Sequence, residues 1–341
     1  MRHPPAPDLA VQVGSIRLPN PVMTASGTAG HGSELAGYLD LGGLGAVVVK
    51  SLAAHPWAGN PGPRLRAAGS GMLNSVGLQG PGVEAWLEED LPGLAATGAR
   101  VVASIWGSRV EDYAKAAAML ADAPPAVVAV EVNVSCPNLD DRRAMFAHSA
   151  TATAEAVEAA GTCRRPRWAK LSPNVADLAG IAGAALHAGA EALTLVNTVL
   201  GLAIDLETRT PAPGPAGGGL SGPGIHPVAV RAVWDCRAAF PSAGIVGVGG
   251  VTTGADAVEL ILAGADAVQV GTATFADPRA PARVLAQVER WCRRHHVACL
   301  ADLTGAAHTT PAARPAHADA DRPAPADAPR PADAAHADAR R

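Results

Sequence analysis

Lysine and aromatic residues are both scarce in this chain of 341 residues. Only three of its 27 basic residues are lysine, and phenylalanine, tryptophan and tyrosine together make up 3%. Charged residues amount to 17% and the formal net charge is −4, which argues against a nucleic-acid-binding protein because such proteins carry a basic excess. The hydrophobic fraction of 48% is still large enough to form a buried core.

Long apolar runs and clustered cysteines are missing as well. No run reaches about 18 apolar residues, so no membrane span is predicted, and residues 1–8 lack the apolar segment of a secretory signal. The five cysteines are odd in number and scattered without a C-x-x-C pair, which gives no indication of a disulfide framework, a zinc site or an iron–sulfur site. These features favour a cytoplasmic protein without a bound metal.

Short apolar runs alternate with helical patterns along most of the chain. The runs are apolar almost throughout, as expected for strands buried on both faces, and helical stretches such as 175–188, 253–263 and 278–294 separate them. Eight alternating units over about 270 residues predict an α/β fold, a (β/α)8 TIM barrel. Residues 9–18 predict a small β-hairpin that caps the bottom of this barrel. The predicted strands are 21–26, 46–51, 101–105, 127–135, 167–172, 192–198, 244–250 and 267–273.

The end of the chain differs in character from the rest. Residues 306–341 contain no leucine, isoleucine, valine or phenylalanine, so apolar burial cannot offset their ordering entropy and a disordered tail is predicted. The predicted organisation is a disordered N-terminus at 1–8, a catalytic barrel at 9–305 and the tail at 306–341. Two long insertions rich in glycine and proline, 53–82 and 200–227, are expected to carry function because such loops are uncommon in compact domains.

Polar residues collect where the predicted strands end. In an α/β barrel these ends face the active site, and core packing alone does not require polar residues there. Glycines after the seventh and eighth strands would let backbone N–H groups approach a phosphate. A formal G-x-G-x-x-G motif at 217–222 follows proline-rich sequence rather than a strand, so a flexible loop is predicted instead of a dinucleotide site. The strand-end residues are Ser26, Lys50, Ser51, Ser104, Asn133, Ser135, Cys136, Asn138, Lys170, Asn197, Thr198, Gly249, Gly250, Gly271 and Thr272.

Two scarce residue types mark specific positions within this set. Lys50 and Lys170 each end or nearly end an apolar run, where a lysine is costly to bury unless it meets an anion or a polar ligand. Cys136 lies at a strand end, whereas the other four cysteines lie in or near helical patterns. A thiol at the mouth of a barrel can act as a nucleophile or as a base. Its position alone does not distinguish these two roles from a purely structural one.

Several short motifs follow one another in order along the chain. They are GMLNSVGL at 71–78, NVSCPN at 133–138, KLSPN at 170–174, Asn197-Thr198 before Gly201, GLSGP at 219–223 and AVQVGTA at 267–273. Together they resemble the class 1 dihydroorotate dehydrogenases, from about residue 9 to residue 303. The segment GLAIDLETRTP at 201–211 is most similar to the NAD-linked subtype, class 1B.

This resemblance implies an FMN-binding enzyme that oxidises (S)-dihydroorotate to orotate in pyrimidine biosynthesis. In the family a cysteine takes a proton from C5 of dihydroorotate while a hydride passes from C6 to flavin N5, and Cys136 matches that cysteine. Lys50 matches a lysine that touches flavin and substrate, and Lys170 matches one at the flavin pyrimidine edge. The implied substrate-binding residues are Lys50, Asn74, Ser75, Val76, Gly77, Leu78, Asn133, Asn138, Asn197 and Thr198. The implied flavin-binding residues are Ser26, Lys50, Ser51, Ser104, Asn133, Lys170, Val196, Gly222, Gly249, Gly250, Gly271 and Thr272.

The resemblance also implies a second subunit. In the NAD-linked subtype, electrons leave FMN through a separate subunit that carries an iron–sulfur cluster and FAD. The implied assembly is a heterotetramer built around a homodimer of this chain. A cluster needs about four close thiolates, which the scattered cysteines of this chain do not provide.

Three features depart from the family pattern. Ser104 stands where the family has an asparagine facing FMN, His226 replaces a lysine, and LDDRRAMFAHS at 139–149 lacks a glycine pair. The core chemistry is expected to persist, while substrate choice stays open. One alternative is a flavoenzyme like dihydropyrimidine dehydrogenase. Comparison of the activity toward dihydroorotate with that toward dihydrouracil would distinguish the two enzymes. The other is a non-catalytic flavin-binding barrel or scaffold, which a colourless purified protein would favour.

Overall fold

The structure, a computed structural model, describes residues 6–136, 145–214 and 217–309. The strands in chain order are β1 (Val11–Val13), β2 (Ile16–Leu18), β3 (Val22–Thr24), β4 (Val47–Val48), β5 (Leu65–Ala68), β6 (Gly71–Asn74), β7 (Val101–Ile105), β8 (Val127–Asn133), β9 (Arg167–Leu171), β10 (Ala192–Leu195), β11 (Val199–Gly201), β12 (Ala203–Asp205), β13 (Thr210–Ala212), β14 (Gly218–Ser221), β15 (Gly244–Val248) and β16 (Ala267–Val270). The α-helices are α1 (Val83–Ala85), α2 (Leu91–Ala96), α3 (Val110–Met119), α4 (Ala150–Ala159), α5 (Leu178–His187), α6 (His226–Ala239), α7 (Gly254–Ala263), α8 (Ala273–Ala276) and α9 (Ala280–Arg294). None of the helices in these ranges combines the length and the apolar character that a membrane crossing needs.

Eight of the strands form one parallel sheet that closes into a barrel. Their order is β3-β16-β15-β10-β9-β8-β7-β4, and a parallel bridge between Met23 and Ala46 joins the two edges. Every residue of β7, β10, β15 and β16 is buried, because such strands are covered by the barrel interior on one face and by helices on the other. The predicted (β/α)8 barrel is confirmed, and each of its eight predicted strands contains an observed, generally shorter strand.

The N-terminal hairpin lies at the amino ends of the barrel strands. Strands β1 and β2 pair in antiparallel fashion, and Val11, Val13 and Leu18 are buried. In the turn between them, the N–H of Ser15 donates a hydrogen bond to the carboxylate of Glu191, which immediately precedes β10. The hairpin predicted at the bottom of the barrel is therefore confirmed.

The two long insertions fold together at the carboxyl ends of the barrel strands. Strands β5 and β6 of the first insertion and β11 and β14 of the second form an antiparallel sheet with the order β11-β14-β6-β5. The flexible loop predicted at 217–222 is wrong, because Gly218–Ser221 form the inner strand β14. Glycine is required there, since a Cβ on Gly218 would collide with the backbone of Asn74 and one on Gly219 with the side chain of Thr198.

Local sequence also defines the helix that follows β15. The Thr253 hydroxyl accepts a hydrogen bond from the N–H of Asp256, whose carboxylate accepts one from the N–H of Thr253. At the other end of α7, Gly264 adopts a φ of +126°, which side chains rarely tolerate. With both ends defined, α7 holds the turn after β15, where Gly249 and Gly250 lie.

Folded structure continues a short way past residue 305. Ala306–His308 form a single 3-10 turn, and the ring of His308 stacks on Trp234 with 3.7 Å between the ring centroids. The His308 Nε2 atom also lies 2.9 Å from the carbonyl oxygen of Ala263. Residues 310–341 of the predicted tail and residues 1–5 lie outside the described ranges, so the division into domains stays a prediction.

Candidate active site

A cavity of about 380 Å³ opens at the carboxyl ends of the barrel strands. One wall is formed by residues at the ends of β3, β4, β8, β9, β10, β15 and β16, and the other by the sheet of β5, β6, β11 and β14. Active sites of α/β barrels lie at this end, and a cavity of this size with a few converging polar groups is typical of a small-ligand site. Both insertions contribute residues to this cavity, and the function expected of them stays a prediction.

Most residues singled out from the sequence line this cavity. From the substrate-binding set, the lining includes Lys50, Asn74, Ser75, Val76, Gly77, Leu78, Asn133, Asn197 and Thr198. From the flavin-binding set, it includes Ser26, Lys50, Ser51, Asn133, Val196, Gly222, Gly249, Gly250, Gly271 and Thr272. Three further residues, Ser104, Cys136 and Lys170, are buried and do not line it. Asn138 lies outside the described residues, and the binding role of every residue named here stays a prediction.

Two asparagine amides in the cavity are oriented by backbone N–H groups. Oδ1 of Asn133 accepts a hydrogen bond from the N–H of Ser135, and Oδ1 of Asn197 accepts one from the N–H of Thr198. Nδ2 of Asn197 donates to Oδ1 of Asn133 at 3.1 Å, and Nδ2 of Asn133 donates to the hydroxyl of Ser51 at 3.2 Å. Each NH₂ group has two protons, and with the described residues as partners each uses one of them, which leaves one N–H for a ligand.

Ser104 lies behind this chain of hydrogen bonds. Its hydroxyl is fully buried and lies 2.8 Å from the hydroxyl of Ser51, which does line the cavity. The sequence predicts that Ser104, in place of the family's asparagine, makes a shorter or water-mediated contact with a flavin, and this contact stays a prediction.

The turn after β15 brings bare backbone to the cavity. Gly249 and Gly250 adopt φ values of +143° and +70°, and a Cβ on Gly250 would lie 2.6 Å from the Cβ of His226. Nδ1 of His226 donates to the carbonyl oxygen of Gly249 at 2.8 Å, and Nε2 lies 3.2 Å from a carboxylate oxygen of Glu259. The histidine that departs from the family's lysine thus supports the glycine turn from outside.

Lys50 contributes positive charge to the cavity wall. No ion pair joins it to a carboxylate within the part of the chain that the structure describes. Burial lowers the pKa of its ammonium group, and the nearby charge of Arg64 lowers it further. An anionic ligand would supply the missing counter-charge, because an opposite charge within a few ångströms stabilises the charged form.

The Cys136 thiol lies in an apolar pocket behind the cavity wall. The residue is 1% exposed and packs with Ala53, Trp106 and Leu78, and Leu78 also lines the cavity. Burial raises the pKa of the thiol to about 12, although hydrogen bonding to the Tyr113 hydroxyl and to the backbone of Gly107 lowers it in part. In this arrangement the thiol is protonated at neutral pH, so a role as base requires that it first lose its proton.

Lys170 lies beneath the turn that follows β3. Its Nζ donates to the hydroxyl of Ser26 at 3.1 Å and lies 3.6 Å from Oε1 of Glu131, with both charged side chains almost completely buried. Sequence reasoning missed Glu131. The available signal was an acidic residue within the otherwise apolar run VVAVEV at the heart of a predicted strand.

Asn174 lines the cavity and was likewise not predicted as a site residue. Its Oδ1 accepts a hydrogen bond from the N–H of Leu200, and its Nδ2 donates to the carbonyl oxygen of Thr198 and to the hydroxyl of Ser172. These bonds hold the segment that enters β11 against the end of β9. The signal was its place in KLSPN in a chain with only seven asparagines.

Comparison with known proteins assigns the family. The sequence model described as dihydroorotate dehydrogenase matches residues 8–291. The chain belongs to the dihydroorotate dehydrogenase family. It is 48% identical over 302 residues to the dihydroorotate dehydrogenase B (NAD(+)) catalytic subunit of Desulforudis audaxviator, covering 88% of this chain and 98% of that protein. Like-named proteins of Pelobacter propionicus and Geobacter sulfurreducens are 46% and 44% identical, each over 88% of this chain and 98% of the relative.

A solved structure shows the same fold. The crystal structure of a dihydroorotate dehydrogenase from Eimeria tenella in complex with ferulenol has a TM-score of 0.73 and 21% identity, and the match covers 89% of each chain. At this identity the likeness supports the fold alone. The resemblance drawn from the motifs, including its NAD-linked subtype, is confirmed by the sequence relatives. Dihydroorotate dehydrogenases are flavoenzymes, so a flavin is the group whose fit to the cavity must be judged.

Proposed function

We propose that this chain is an FMN-dependent catalytic subunit that oxidises (S)-dihydroorotate to orotate in pyrimidine biosynthesis. One observation carries the proposal. A single cavity combines amide donors on Asn133 and Asn197, the ammonium of Lys50 and bare backbone after β15. The Cys136 thiol belongs to an apolar cluster that packs against Leu78 of the cavity wall. These groups match a planar substrate with alternating carbonyl and N–H groups and one carboxylate.

The residues present fit FMN. The turn of Gly249 and Gly250 leaves backbone uncovered for a terminal phosphate, because positive φ values and close neighbours exclude side chains there. Ser26 also lines the cavity, and Lys170 is bonded to its hydroxyl. The phosphate would thus lie at Gly249, Gly250, Gly271 and Thr272, and the isoalloxazine edge would lie near Ser26. When bound, FMN supplies the acceptor for the hydride.

Cys136 would act as the base of the reaction. Its Sγ, as thiolate, takes the proton from C5 of dihydroorotate as the hydride leaves C6, so that one C–H bond breaks at each carbon and a C5–C6 double bond forms. The apolar pocket of Ala53, Trp106 and Leu78 excludes water from the thiol. Leu78 packs against this apolar cluster and also lines the cavity, so we expect its side chain to control access between the thiol and the substrate.

Lys50 favours dihydroorotate over a substrate without a carboxylate. An ammonium that lines the cavity without a carboxylate partner in the described part of the chain has most to gain from a substrate anion. Dihydrouracil carries no such group and would leave the charge uncompensated. The reading as an enzyme like dihydropyrimidine dehydrogenase therefore has no observation in its favour.

Electrons would leave through a partner subunit that carries an iron–sulfur cluster and FAD. Apart from Cys136, the cysteines lie on separate elements: Cys163 in a 3-10 turn, Cys236 on α6, Cys292 on α9 and Cys299 after α9. Exposed apolar side chains on the second insertion support a covered surface there, since such patches are uncommon on monomers. They are Leu200, Leu202, Ile204 and Leu206. The proposed assembly is two copies of this chain with two copies of the partner.

Spectroscopy of the purified chain tests the flavin and the substrate together. The protein should be yellow and release FMN, and anaerobic addition of dihydroorotate should bleach the flavin band. Dihydrouracil at the same concentration should leave the band unchanged. Released FAD, or no flavin after reconstitution, would refute the cofactor assignment, and bleaching by dihydrouracil alone would transfer the protein to the alternative enzyme class.

A separate assay tests the route of the electrons. The isolated chain should reduce artificial acceptors with dihydroorotate as donor but should reduce NAD⁺ poorly. Addition of an iron–sulfur flavoprotein subunit should restore NAD⁺ reduction. Rapid NAD⁺ turnover by the chain alone would contradict the partner model, and efficient turnover with fumarate would assign the other class 1 subtype.

A further inference from the structure

A polar chain crosses the interior of the barrel beneath the cavity. Glu131 on β8 and Gln269 on β16 are both fully buried, and their strands lie four places apart in the eight-stranded ring, on opposite sides. Nε2 of Gln269 donates to Oε2 of Glu131 at 2.9 Å. The other carboxylate oxygen, Oε1, lies 3.6 Å from Nζ of Lys170. The chain thus links a strand on the far side of the barrel to the lysine under the cavity.

Within this chain the Lys170 ammonium lies closer to the cavity than to its counter-charge. Its distance to the hydroxyl of Ser26, which lines the cavity, is 3.1 Å, whereas 3.6 Å to Oε1 of Glu131 is too long for a hydrogen bond. Oε1 has no hydrogen-bond partner among the described residues although it is buried. Because Gln269 holds the other oxygen, it competes with Lys170 for the carboxylate.

An arrangement of this kind is expensive to bury. Two charges taken out of water repay their desolvation only when their geometry is close and their remaining hydrogen bonds are made, and here neither condition is fully met. Apolar residues of similar volume would fill the same space at lower cost. The loose pairing therefore points to a role beyond packing.

We propose that Glu131 and Gln269 are positioning residues that set how much of the Lys170 charge reaches the cofactor. Gln269 holds the carboxylate back from a tight ion pair, and Glu131 balances the remaining charge from below. This inference rests on the proposed function, in which Lys170 lies at the pyrimidine edge of FMN. Positive charge there favours the reduced flavin, which carries more negative charge than the oxidised form.

Substitutions of the two residues should act in opposite directions. Glu131→Gln removes the counter-charge, so the ammonium acts on FMN without compensation and reduced FMN is bound more tightly. Gln269→Leu frees the carboxylate to approach Lys170 and draw the ammonium away from Ser26, so reduced FMN is bound less tightly. Simple loss of packing has no reason to produce opposite signs.

The midpoint potential of FMN in the purified full-length holoenzyme measures this effect without turnover. Each variant should change the ratio of affinities for reduced and oxidised FMN about tenfold, up for Glu131→Gln and down for Gln269→Leu. For a two-electron couple that ratio corresponds to ~30 mV. The potential is read by equilibration with a reference dye under anaerobic conditions.

Two further variants separate positioning from other effects. In a Lys170→Met background, Gln269→Leu should no longer move the potential, because it acts only by releasing the carboxylate toward Lys170, and non-additivity is the signature of residues that act through a shared partner. Thr194→Val is the matched control. Its buried hydroxyl has no hydrogen-bond partner in the described structure, and it is paired in register with Lys170 on the neighbouring strand. This variant should leave the potential unchanged.

The outcomes are distinct. Shifts of the same sign, a Gln269→Leu shift that persists without Lys170, or lower thermal stability with an unchanged potential would each overturn the inference. If Glu131→Gln does not fold, Gln269→Leu with and without Lys170→Met decides alone. A wild-type chain that binds no flavin would instead refute the proposed function, before any variant is compared.

Discussion

Lys50 and Lys170 are the same side chain in opposite settings, and they divide the active site into two sides. Lys50 lines the cavity without a carboxylate partner among the described residues, whereas Lys170 is buried beneath it, bonded to Ser26 and 3.6 Å from Glu131. The Lys50 side consists of Lys50, Leu78, Trp106 and Cys136. The Lys170 side consists of Lys170, Ser26, Glu131 and Gln269.

The difference concerns what each charge is free to do. On the Lys50 side the ammonium has no carboxylate partner among the described residues and the Cys136 thiol is neutral, so both groups have interactions left to make with a substrate. On the Lys170 side the charge already has Glu131 as a counter-charge. The surrounding residues therefore set how strongly the Lys170 charge acts on the cofactor. We therefore expect substitutions on the Lys50 side to change substrate binding and proton transfer, and those on the Lys170 side to change the cofactor.

The largest expected effect is that of removing the thiol. Cys136→Ala should leave FMN bound and slow its reduction by dihydroorotate by on the order of 10²–10⁴, which is the usual contribution of a positioned base. Anaerobic stopped-flow absorbance of the flavin band measures the rate. The matched control is Cys163→Ala, because Cys163 is also buried but lies in a 3-10 turn remote from the strand ends. Reduction of the Cys136 variant at the wild-type rate would remove this residue from the mechanism.

Substitution of the two lysines tests the division itself. Lys50→Met should raise the KM for dihydroorotate about tenfold or more while FMN stays bound, since a hydrogen bond to a charged group contributes about 1.5–3 kcal/mol. Lys170→Met should instead weaken FMN binding or lower its potential with little change in KM. Lys115→Met, on the exposed face of α3, is the control for loss of a lysine. If both active-site variants changed the same parameter alone, the two sides would not be distinct.

The pH dependence of reduction sharpens the account of the Lys50 side. The pKa of Cys136 is raised to about 12, so the thiolate fraction rises tenfold for each pH unit below that value. At saturating dihydroorotate, the rate of flavin reduction should therefore continue to rise between pH 9 and pH 10, where a thiol of ordinary pKa, about 8.5, would have levelled off. Saturation is needed because the lowered pKa of Lys50 weakens substrate binding at high pH. A plateau above pH 8.5 would show that the thiol is more acidic in the complex than its burial implies.

Part of this picture could be predicted from the sequence. The barrel follows from eight apolar runs separated by helical patterns, and the scarcity of lysine in a chain rich in arginine marked Lys50 and Lys170. Residues at strand ends converge in any α/β barrel, so their meeting at one cavity was predictable as well.

What could not be predicted are the contacts between distant strands. Glu131 and Gln269 are 138 positions apart, and only closure of the barrel brings their side chains together. The same holds for Ser104, whose burial behind Ser51 depends on the packing of neighbouring strands and not on its own neighbours in sequence. The glycine-rich segment at 217–222 was misjudged because its strand character comes from pairing with β6 and β11.

The smallest expected effect is that of removing the C-terminal segment, because residues 306–341 contain no large apolar residue that could anchor them. A chain that ends after Thr309 should keep its flavin, its reduction rate and its melting temperature. One that ends after Gly305 should also keep the first two, but it loses the stacking of His308 on Trp234 and the bond to Ala263. Loss of about 1 kcal/mol corresponds to a decrease of about 2–4 °C in Tm, which differential scanning fluorimetry resolves.

Trp234 lies on α6, whose first residue His226 supports the turn of Gly249. Loss of FMN in the shorter chain alone would therefore show that α6 transmits the contact to the phosphate end of the cavity.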